Sequence, residues 1–292
     1  MRTRCYGRRS SNGSRGRERI EVKDADCVAF LQWALPQLGL HWPGFRKVRR
    51  QVCRRIAARL RTLGLADAAA YRSHLQSHSG EWPALGALCT VTISRFYRDR
   101  EVFDCLGAAV LPALAQAALE RGAQRLDCWS AGCASGEEPY TLSIQWRMAL
   151  AARFPGLALH ALGTDVDATL LERARAACYP PSSVEALPAA WRELAFERRG
   201  RQLCLREAFR GGVELERQDL AAEAPRRQFD LVLCRNLAFT YFDAERARFA
   251  LEAIASRLRP GGALVIGLHE HLPDGAFVPW PGCRAVFRLR KW

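Results

Sequence analysis

Residues 129–140 read WSAGCASGEEPY, a segment that places two glycines and two adjacent glutamates between an apolar run and a helical pattern. The run before it has the texture of a short strand, so the segment is predicted to be the turn from a strand into a helix. Ligands bind at such turns in open α/β sheets. Gly132 and Gly136 allow close approach of a ligand, but their spacing is not the G-x-G-x-x-G of a dinucleotide site.

The two glutamates of this segment, Glu137 and Glu138, indicate the charge of the ligand. They would repel a pyrophosphate and attract a cation, because like charges repel at short range. S-adenosylmethionine (SAM) carries a sulfonium and an ammonium group and therefore fits this segment. The alternative interpretation is an acidic helix start that the helix macrodipole favours.

From Gly122 onward, short strand-like runs alternate with helical stretches. This alternation predicts the α/β class, with a doubly wound, Rossmann-like parallel sheet. The predicted strands are Leu126–Trp129, Leu159–Gly163, Phe229–Cys234, Ala263–Gly267 and Ala285–Leu289, and the predicted helices lie near Glu137–Ala152, Asp167–Ala176 and Ala244–Leu258. Residues 180–215 break the alternation and are predicted to form a small inserted antiparallel β subdomain.

The residues before this domain have a helical and strongly basic pattern. We predict a basic, disordered leader over residues 1–20, an all-helical domain over 21–92 and the α/β domain over 93–292. A helix predicted over residues 45–63 has apolar residues at three- and four-residue steps on one face. Its residues 46–61 contain eight Lys or Arg and no acid. With a net charge of +14, the chain is expected to bind an anionic partner on this helix, and an acidic protein and a nucleic acid both fit.

The eleven cysteines are scattered singly, without a C-x-x-C pair or the spacing of a zinc finger. The sequence therefore predicts no metal site and no disulfide framework, and reduced thiols of a cytoplasmic protein fit best. No apolar run was identified that approaches the roughly 20 residues needed to span a bilayer. A protein that does not span the membrane is the expectation.

Polar residues end the predicted strands at the edge where a ligand would lie. Asp165, at the tip of the second strand, is placed to accept both ribose hydroxyls of an adenosyl group, and Asp167 is expected to cap the next helix. Asp219 and Leu220 would supply an acceptor and an apolar contact at the adenine. Arg235 with Asn236 ends a buried strand at the same edge, where the reacting methyl group is expected.

The motifs ISRFYRD, WSAGCASGEEPYTLSI, GTDVD, LCRN, YFD and RPGGALVIGLHE occur in this order over roughly residues 25–270. The series resembles the CheR-type chemotaxis receptor methyltransferases, which esterify glutamate side chains. The resemblance implies SAM as methyl donor and S-adenosylhomocysteine as product. It also implies a basic second helix that faces the acidic helix bundle of a chemoreceptor.

The resemblance also assigns roles to individual residues. It implies that Arg98 serves the cofactor and catalysis and that Tyr241 is catalytic. The implied cofactor ligands are Thr92, Ser94, Arg98, Glu138, Asp165, Asp219, Leu220, Arg235 and Asn236. Relatives have Asn and Thr at the positions of Thr92 and Ser94, and they separate the equivalents of Asn236 and Tyr241 by three residues rather than four.

Two other functions fit the same residues. An RNA or DNA methyltransferase shares the fold and would use the basic helix to bind phosphates. A catalytically weakened SAM-binding regulatory module would account for the departures at Thr92, Ser94 and Tyr241. The motifs do not identify the protein substrate.

Overall fold

A computed structural model describes residues 23–273 and 275–290. They divide into two compact units: residues up to 33 together with 48–89, and residues 34–47 together with 90 onward. The leader predicted over residues 1–20 lies outside the described residues. The domain boundary predicted at residue 92 stays a prediction.

Helices make up the N-terminal part of the chain. They are α1 (Asp24–Gln37), α2 (Trp42–Phe45), α3 (Arg49–Leu63), α4 (Ala68–Ser77) and α5 (Trp82–Cys89). In the first unit the ring of Phe30 stacks on that of Tyr71 at 5.4 Å, and Tyr71 donates a hydrogen bond to Glu81. Arg59 of α3 donates to both oxygens of the same glutamate through Nε and Nη2, at 2.8 and 2.7 Å. One buried acid therefore joins three segments of the unit.

The single helix predicted over residues 45–63 is wrong at its start. Phe45 ends α2, residues 46–48 form a turn, and α3 begins at Arg49. The reason is tertiary: Phe45 packs on the ring of Tyr241, so it faces a different part of the chain from the apolar side of α3. Beyond the turn the predicted face is correct, because Val52, Ile56 and Leu60 are fully buried.

The second unit contains the sheets. Its later helices are α6 (Arg100–Cys105), α7 (Leu111–Glu120), α8 (Glu137–Gln145), α9 (Ala168–Ala176), α10 (Pro181–Val184), α11 (Ala189–Ala195), α12 (Ala238–Tyr241) and α13 (Ala244–Arg257). The strands are β1 (Arg125–Ala131), β2 (Ala158–Asp165), β3 (Cys178–Tyr179), β4 (Phe196–Arg199), β5 (Gln202–Leu205), β6 (Val213–Arg217), β7 (Phe229–Leu233), β8 (Leu258–Val265), β9 (Phe277–Pro279) and β10 (Val286–Leu289).

Within the described residues, seven strands form one sheet in the order β6-β2-β1-β7-β8-β10-β9. The pairs from β6 to β8 are parallel, and β10 pairs antiparallel with both β8 and β9. A second, antiparallel sheet has the order β3-β5-β4. The predicted fold class is confirmed: a mostly parallel α/β sheet, a helical N-terminal region and a small inserted antiparallel sheet.

The sheet is buried on both faces, as its apolar strands require. On one face, Leu126 and Cys128 of β1 join a core that includes Leu106 and Leu142 from the helices before and after the strand. On the other face, Trp129 joins a core with residues of α13. Alternate residues of one strand thus serve two cores, which fixes the register of the strand.

A continuous helical stretch over residues 100–120 is the longest apolar element. By length and composition alone, this 21-residue helical stretch could span a membrane. The prediction that no apolar run approaches this length is therefore wrong. A buried core helix has the same composition, and here Leu106, Val110 and Leu111 are fully buried against the sheet core.

The cysteines also differ from the sequence-based expectation. Six of the described cysteines form three disulfides: Cys27–Cys53, Cys105–Cys283 and Cys178–Cys204. The partners are 26, 178 and 26 residues apart, so the pairing follows from the fold and cannot be read from spacing. The remaining cysteines that the structure describes are buried thiols.

Candidate active site

The glycine segment forms a tight loop between β1 and α8. The N–H groups of Gly132 and Cys133 donate to the carbonyl of Thr164, at 2.8 and 2.9 Å, and thereby tie the loop to β2. Gly132 has φ +76, and a Cβ there would lie 2.5 Å from Leu237. At Gly136, φ +85, a Cβ would approach the ring of Tyr140 to 2.9 Å. Glycine is therefore required at both positions.

The carboxylate of Asp165 faces this loop at the end of β2. One oxygen accepts from the N–H of Ala134 at 2.8 Å, and the other accepts from the N–H of Asp167 at 2.9 Å. Burial is the main cause that raises the pKa of Asp165. Asp167 itself caps α9 by accepting from Thr169 and Leu170, as expected. The fold thus holds Asp165 rigidly at the tip of its strand.

The segment 218–220 lies beside Asp165, because the N–H of Gln218 donates to the Asp165 carbonyl at 3.1 Å. Asp219 is exposed and accepts from the N–H of Ala221 at 2.9 Å, while Leu220 is buried. Among the described residues, the buried side-chain oxygen of Gln218 has no hydrogen-bond partner. An unused acceptor therefore lies next to the acid of β2.

Glu137 is the first acid of α8 and is 3% exposed. Among the residues that the structure describes, its Oε2 has no hydrogen-bond partner. Burial raises the pKa of Glu137, and a hydrogen bond from the side chain of Ser94 acts in the opposite direction. A buried carboxylate oxygen without a donor fits a site that receives a cationic ligand.

Glu138, the second acid, belongs to a buried ion-pair network. Its Oε1 accepts from Ser130 at 2.8 Å, and its Oε2 accepts from Arg235 Nη1 at 2.9 Å. The other guanidinium nitrogen, Arg235 Nη2, donates to Asp99 at 2.7 Å and to the carbonyl of Arg98 at 2.9 Å. The side chain of Arg235 is only 3% exposed. Arg235 therefore links residues 98–99 to the start of α8 through hydrogen bonds.

The loop that carries Thr92, Ser94 and Arg98 is anchored to the inserted subdomain and to α8. The N–H of Phe96 donates to the carbonyl of Ser183, and the N–H of Tyr97 donates to the hydroxyl of Thr141. Thr92 is half-buried. The guanidinium of Arg98 donates to the carbonyl of Ile93 within the same loop.

Tyr241 ends the single helical turn α12 and is half-buried. Burial is the main cause that raises its pKa, and the positive charge of Arg98 acts in the opposite direction. Asn236 starts the same loop with φ +54 and donates its N–H to Glu270 at 2.8 Å.

Backbone strain concentrates in these loops. Non-glycine residues with left-handed backbone include Tyr97, Asp99, Ala134 and Asn236. Such conformations cost about 1 kcal/mol or more each and cluster where the surrounding structure holds a functional geometry. No sequence signal indicated these conformations, because none of the four residues is a glycine.

Sequence reasoning missed two groups at this edge. Glu270, 8% exposed, accepts from the N–H groups of Asn236 and Gly267 and from the hydroxyl of Thr240. Residues 39–45 also contact the turn of Tyr241 and the residues just after it. The LHE end of the last motif pointed to Glu270, whereas no local signal pointed to residues 39–45, which precede the turn by about two hundred positions.

Together these features define the class of protein. The edge of a doubly wound sheet carries an acid at the tip of its second strand, a glycine loop and a buried glutamate, one oxygen of which has no hydrogen-bond partner among the described residues. This arrangement fits a ligand that combines a ribose with positive charge, as SAM does. The fold and the site are those of a SAM-dependent methyltransferase.

Comparison with known proteins identifies the family. Residues 92–278 match the family described as CheR methyltransferase, SAM binding domain. The chemotaxis protein methyltransferase of Salmonella typhimurium is 31% identical over 269 residues, which cover 88% of this chain and 87% of that protein. That of Listeria monocytogenes is 34% identical over 190 residues, covering 65% and 69%. The chain belongs to the CheR methyltransferase family and is a SAM-dependent enzyme.

Proposed function

We propose that this enzyme is a protein-glutamate O-methyltransferase of the cytoplasm, whose substrate is an acidic helical protein such as a chemoreceptor helix bundle. The observation that carries the proposal is the sheet edge within the matched family region, where Asp165 ends β2 beside the glycine loop and Tyr241 ends α12. The relatives are named chemotaxis protein methyltransferases, which favours a receptor as substrate.

We assign the cofactor site to the strand ends and the loops beside them. Asp165 binds the ribose hydroxyls, Asp219 and Leu220 contact the adenine, and Glu138 attracts the positively charged amino acid part. The remaining proposed contacts come from Thr92, Ser94, Arg98, Arg235 and Asn236. The buried oxygen of Glu137 that lacks a partner among the described residues supports this assignment, because a cationic group of the ligand would give it a partner at the same helix start.

Methyl transfer to a glutamate depends on how the enzyme orients the carboxylate, and it does not require transfer of a proton. When bound, SAM supplies an electrophilic methyl group on its sulfonium. A glutamate with a pKa of about 4.3 is already ionised at neutral pH, so the enzyme needs no general base. Because its pKa is raised, the Tyr241 hydroxyl stays protonated and can donate to the carboxylate oxygen that does not attack. Arg98 offers a planar guanidinium that holds the same carboxylate.

The basic face of α3 is the proposed docking surface for the acidic partner. Arg50, Arg54 and Arg61 are exposed on this helix, whereas Arg59 is committed to the buried Glu81 and Arg49 pairs with Asp24. Asp24 and Glu81 therefore neutralise part of residues 46–61, which contain only basic charges in sequence. The exposed arginines remain available to steer an anionic partner.

Replacement of Arg50, Arg54 and Arg61 by Ser is expected to slow methylation at low salt while leaving SAM affinity unchanged. Rim charges chiefly accelerate association, so the difference from the parent should shrink as ionic strength rises. The measurement is kcat/KM for a chemoreceptor cytoplasmic fragment across a salt series. Equal rates for variant and parent at every salt concentration would exclude α3 as the docking surface.

Replacement of Asp165 by Ala is expected to weaken SAM binding by about 1 to 3 kcal/mol, because two ribose hydrogen bonds are lost. Asp167→Ala is the matched control: it removes an acid two residues away that caps α9, and costs about 1 kcal/mol of stability without affecting SAM. Calorimetry measures both affinities. Unchanged binding by Asp165→Ala would refute its assignment to the ribose.

The test of the proposed function is methyl transfer from labelled SAM to a purified chemoreceptor cytoplasmic fragment. The expected product releases its label in mild base, because glutamate methyl esters are base-labile. A base-stable methyl group on the protein would exclude the ester. Label transferred to RNA or DNA in preference to the fragment would favour the nucleic acid alternative.

A further inference from the structure

Residues 39–41 pair with the chain just after Tyr241. The N–H of Asp243 donates to the carbonyl of Gly39 at 3.0 Å, and the N–H of His41 donates to the carbonyl of Tyr241 at 2.9 Å. Leu40 and Phe242 form an antiparallel bridge between these two bonds. The backbone on the C-terminal side of Tyr241 is therefore held by residues that precede it by about two hundred positions.

Side chains of the same segment hold Tyr241 and Thr240. The Nε2 atom of His41 lies 2.8 Å from the carbonyl oxygen of Thr240. The ring of Phe45 packs on the ring of Tyr241 at 5.0 Å. Gly44 lies so close that an added Cβ would overlap the Thr240 carbonyl oxygen and approach Tyr241 Cδ1 to 3.3 Å. No side chain fits at position 44 unless the Tyr241 turn moves.

The turn needs this support because it is short. Helix α12 has four residues, and a single helical turn is not stable without external contacts. Glu270 holds the turn through Thr240 and Asn236, and segment 39–45 holds it through Gly39, His41, Gly44 and Phe45. Tyr241 is thus oriented by contacts from two separate parts of the second unit.

We infer that His41, Gly44 and Phe45 are positioning residues that fix the Tyr241 hydroxyl for methyl transfer. The inference rests on the catalytic role proposed for Tyr241. It implies that substitutions at these positions lower kcat through the tyrosine and leave SAM binding alone, since the contacts described for the three residues are with Thr240 and Tyr241.

Gly44→Ala tests the inference most directly. It is expected to lower kcat about tenfold, because displacement by about 1 Å costs this much or more in an oriented site. The SAM Kd is expected to stay within about twofold, since the cofactor contacts are untouched. Gly211→Ala is the matched control: it lies in the same unit with nothing within 4 Å of the added Cβ, and keeps parental kcat.

A double-mutant cycle separates positioning from a general structural defect. In a Tyr241→Phe background, Gly44→Ala is expected to change kcat by less than about twofold, because the hydroxyl it would displace is absent. Equal losses in both backgrounds would overturn the inference. If Gly44→Ala keeps full kcat while Tyr241→Phe loses most of it, the positioning inference is overturned and the proposed role of Tyr241 stands. Full kcat for Tyr241→Phe overturns the proposed role of the tyrosine.

His41 provides a second, milder test that does not depend on a steric clash. His41→Ala removes the side-chain bond to Thr240 and is expected to lower kcat about threefold to tenfold. His41→Gln is expected to restore most of it, because the glutamine amide nitrogen donates from nearly the same place as Nε2. Parental kcat for His41→Ala, or no recovery with Gln, would contradict a role for this bond.

Discussion

Replacement of Tyr241 by Phe is expected to lower kcat by about 10- to 100-fold while the SAM Kd changes by less than about twofold. A hydrogen bond to a charged group contributes about 1.5 to 3 kcal/mol, and the substitution removes one such bond from the oriented carboxylate. The raised pKa keeps the hydroxyl protonated across the neutral range, so the effect should not vary with pH there. Steady-state kinetics with a chemoreceptor fragment measures kcat, and calorimetry measures Kd.

Tyr71→Phe is the control for this substitution. Its hydroxyl donates to the buried Glu81 in the first unit, so its loss should lower stability and leave kcat at the parental value. If Tyr241→Phe retains full kcat, the tyrosine has no part in the transfer and the carboxylate must be oriented by Arg98 alone.

Replacement of Arg235 by Met is expected to cost about 3 to 5 kcal/mol in the free energy of unfolding. The guanidinium is almost fully buried and pairs with both Asp99 and Glu138, so its removal leaves two carboxylates without their counter-charge. Activity should fall further than stability alone explains, because the carbonyl of Arg98 loses its donor as well. Urea denaturation measures the first effect, and kcat under fully folded conditions measures the second.

Arg227→Met provides the comparison for Arg235→Met. Arg227 also bridges two carboxylates, those of Glu214 and Glu216, at 2.8 Å each, but all three side chains are one third to one half exposed. Solvent screening limits such a surface network to about 1 kcal/mol. A similar loss in the free energy of unfolding for both variants would mean that burial of Arg235 does not increase its contribution to stability.

The chemistry at the strand tips was predictable because it is local in sequence. Asp165 ends the apolar strand β2, and Glu138 lies at the start of the helix that follows the apolar strand β1; topology brings the carboxyl ends of such strands to one edge. The fold class followed from the same alternation. Strand β6 was missed because it is an edge strand with alternating acids, VELER, which resembles a solvated loop in sequence.

Long-range pairing explains what the sequence did not reveal. The sequence predicts Arg235 as a cofactor ligand, but its partners Glu138 and Asp99 lie 97 and 136 positions away, and only the fold shows that its guanidinium pairs with both acids. The three disulfides and the contacts of His41 are hidden for the same reason. The turn at residues 46–48 was also hidden, because the apolar Phe45 fits the helical spacing of the residues that follow it. That spacing does not show which part of the chain Phe45 packs against.

The compact unit that holds Tyr241 is discontinuous along the chain, since it includes residues 34–47 as well as those from 90 onward. The family match begins only at residue 92. A chain that begins at residue 92 would keep the glycine loop, Glu138 and Asp165, and is expected to bind SAM. The Tyr241 turn, however, would lose its contacts with residues 39–45. Exchange of N-terminal regions between relatives would then alter turnover as well as partner choice, unless the segment 34–47 is kept together with the Tyr241 turn that it contacts.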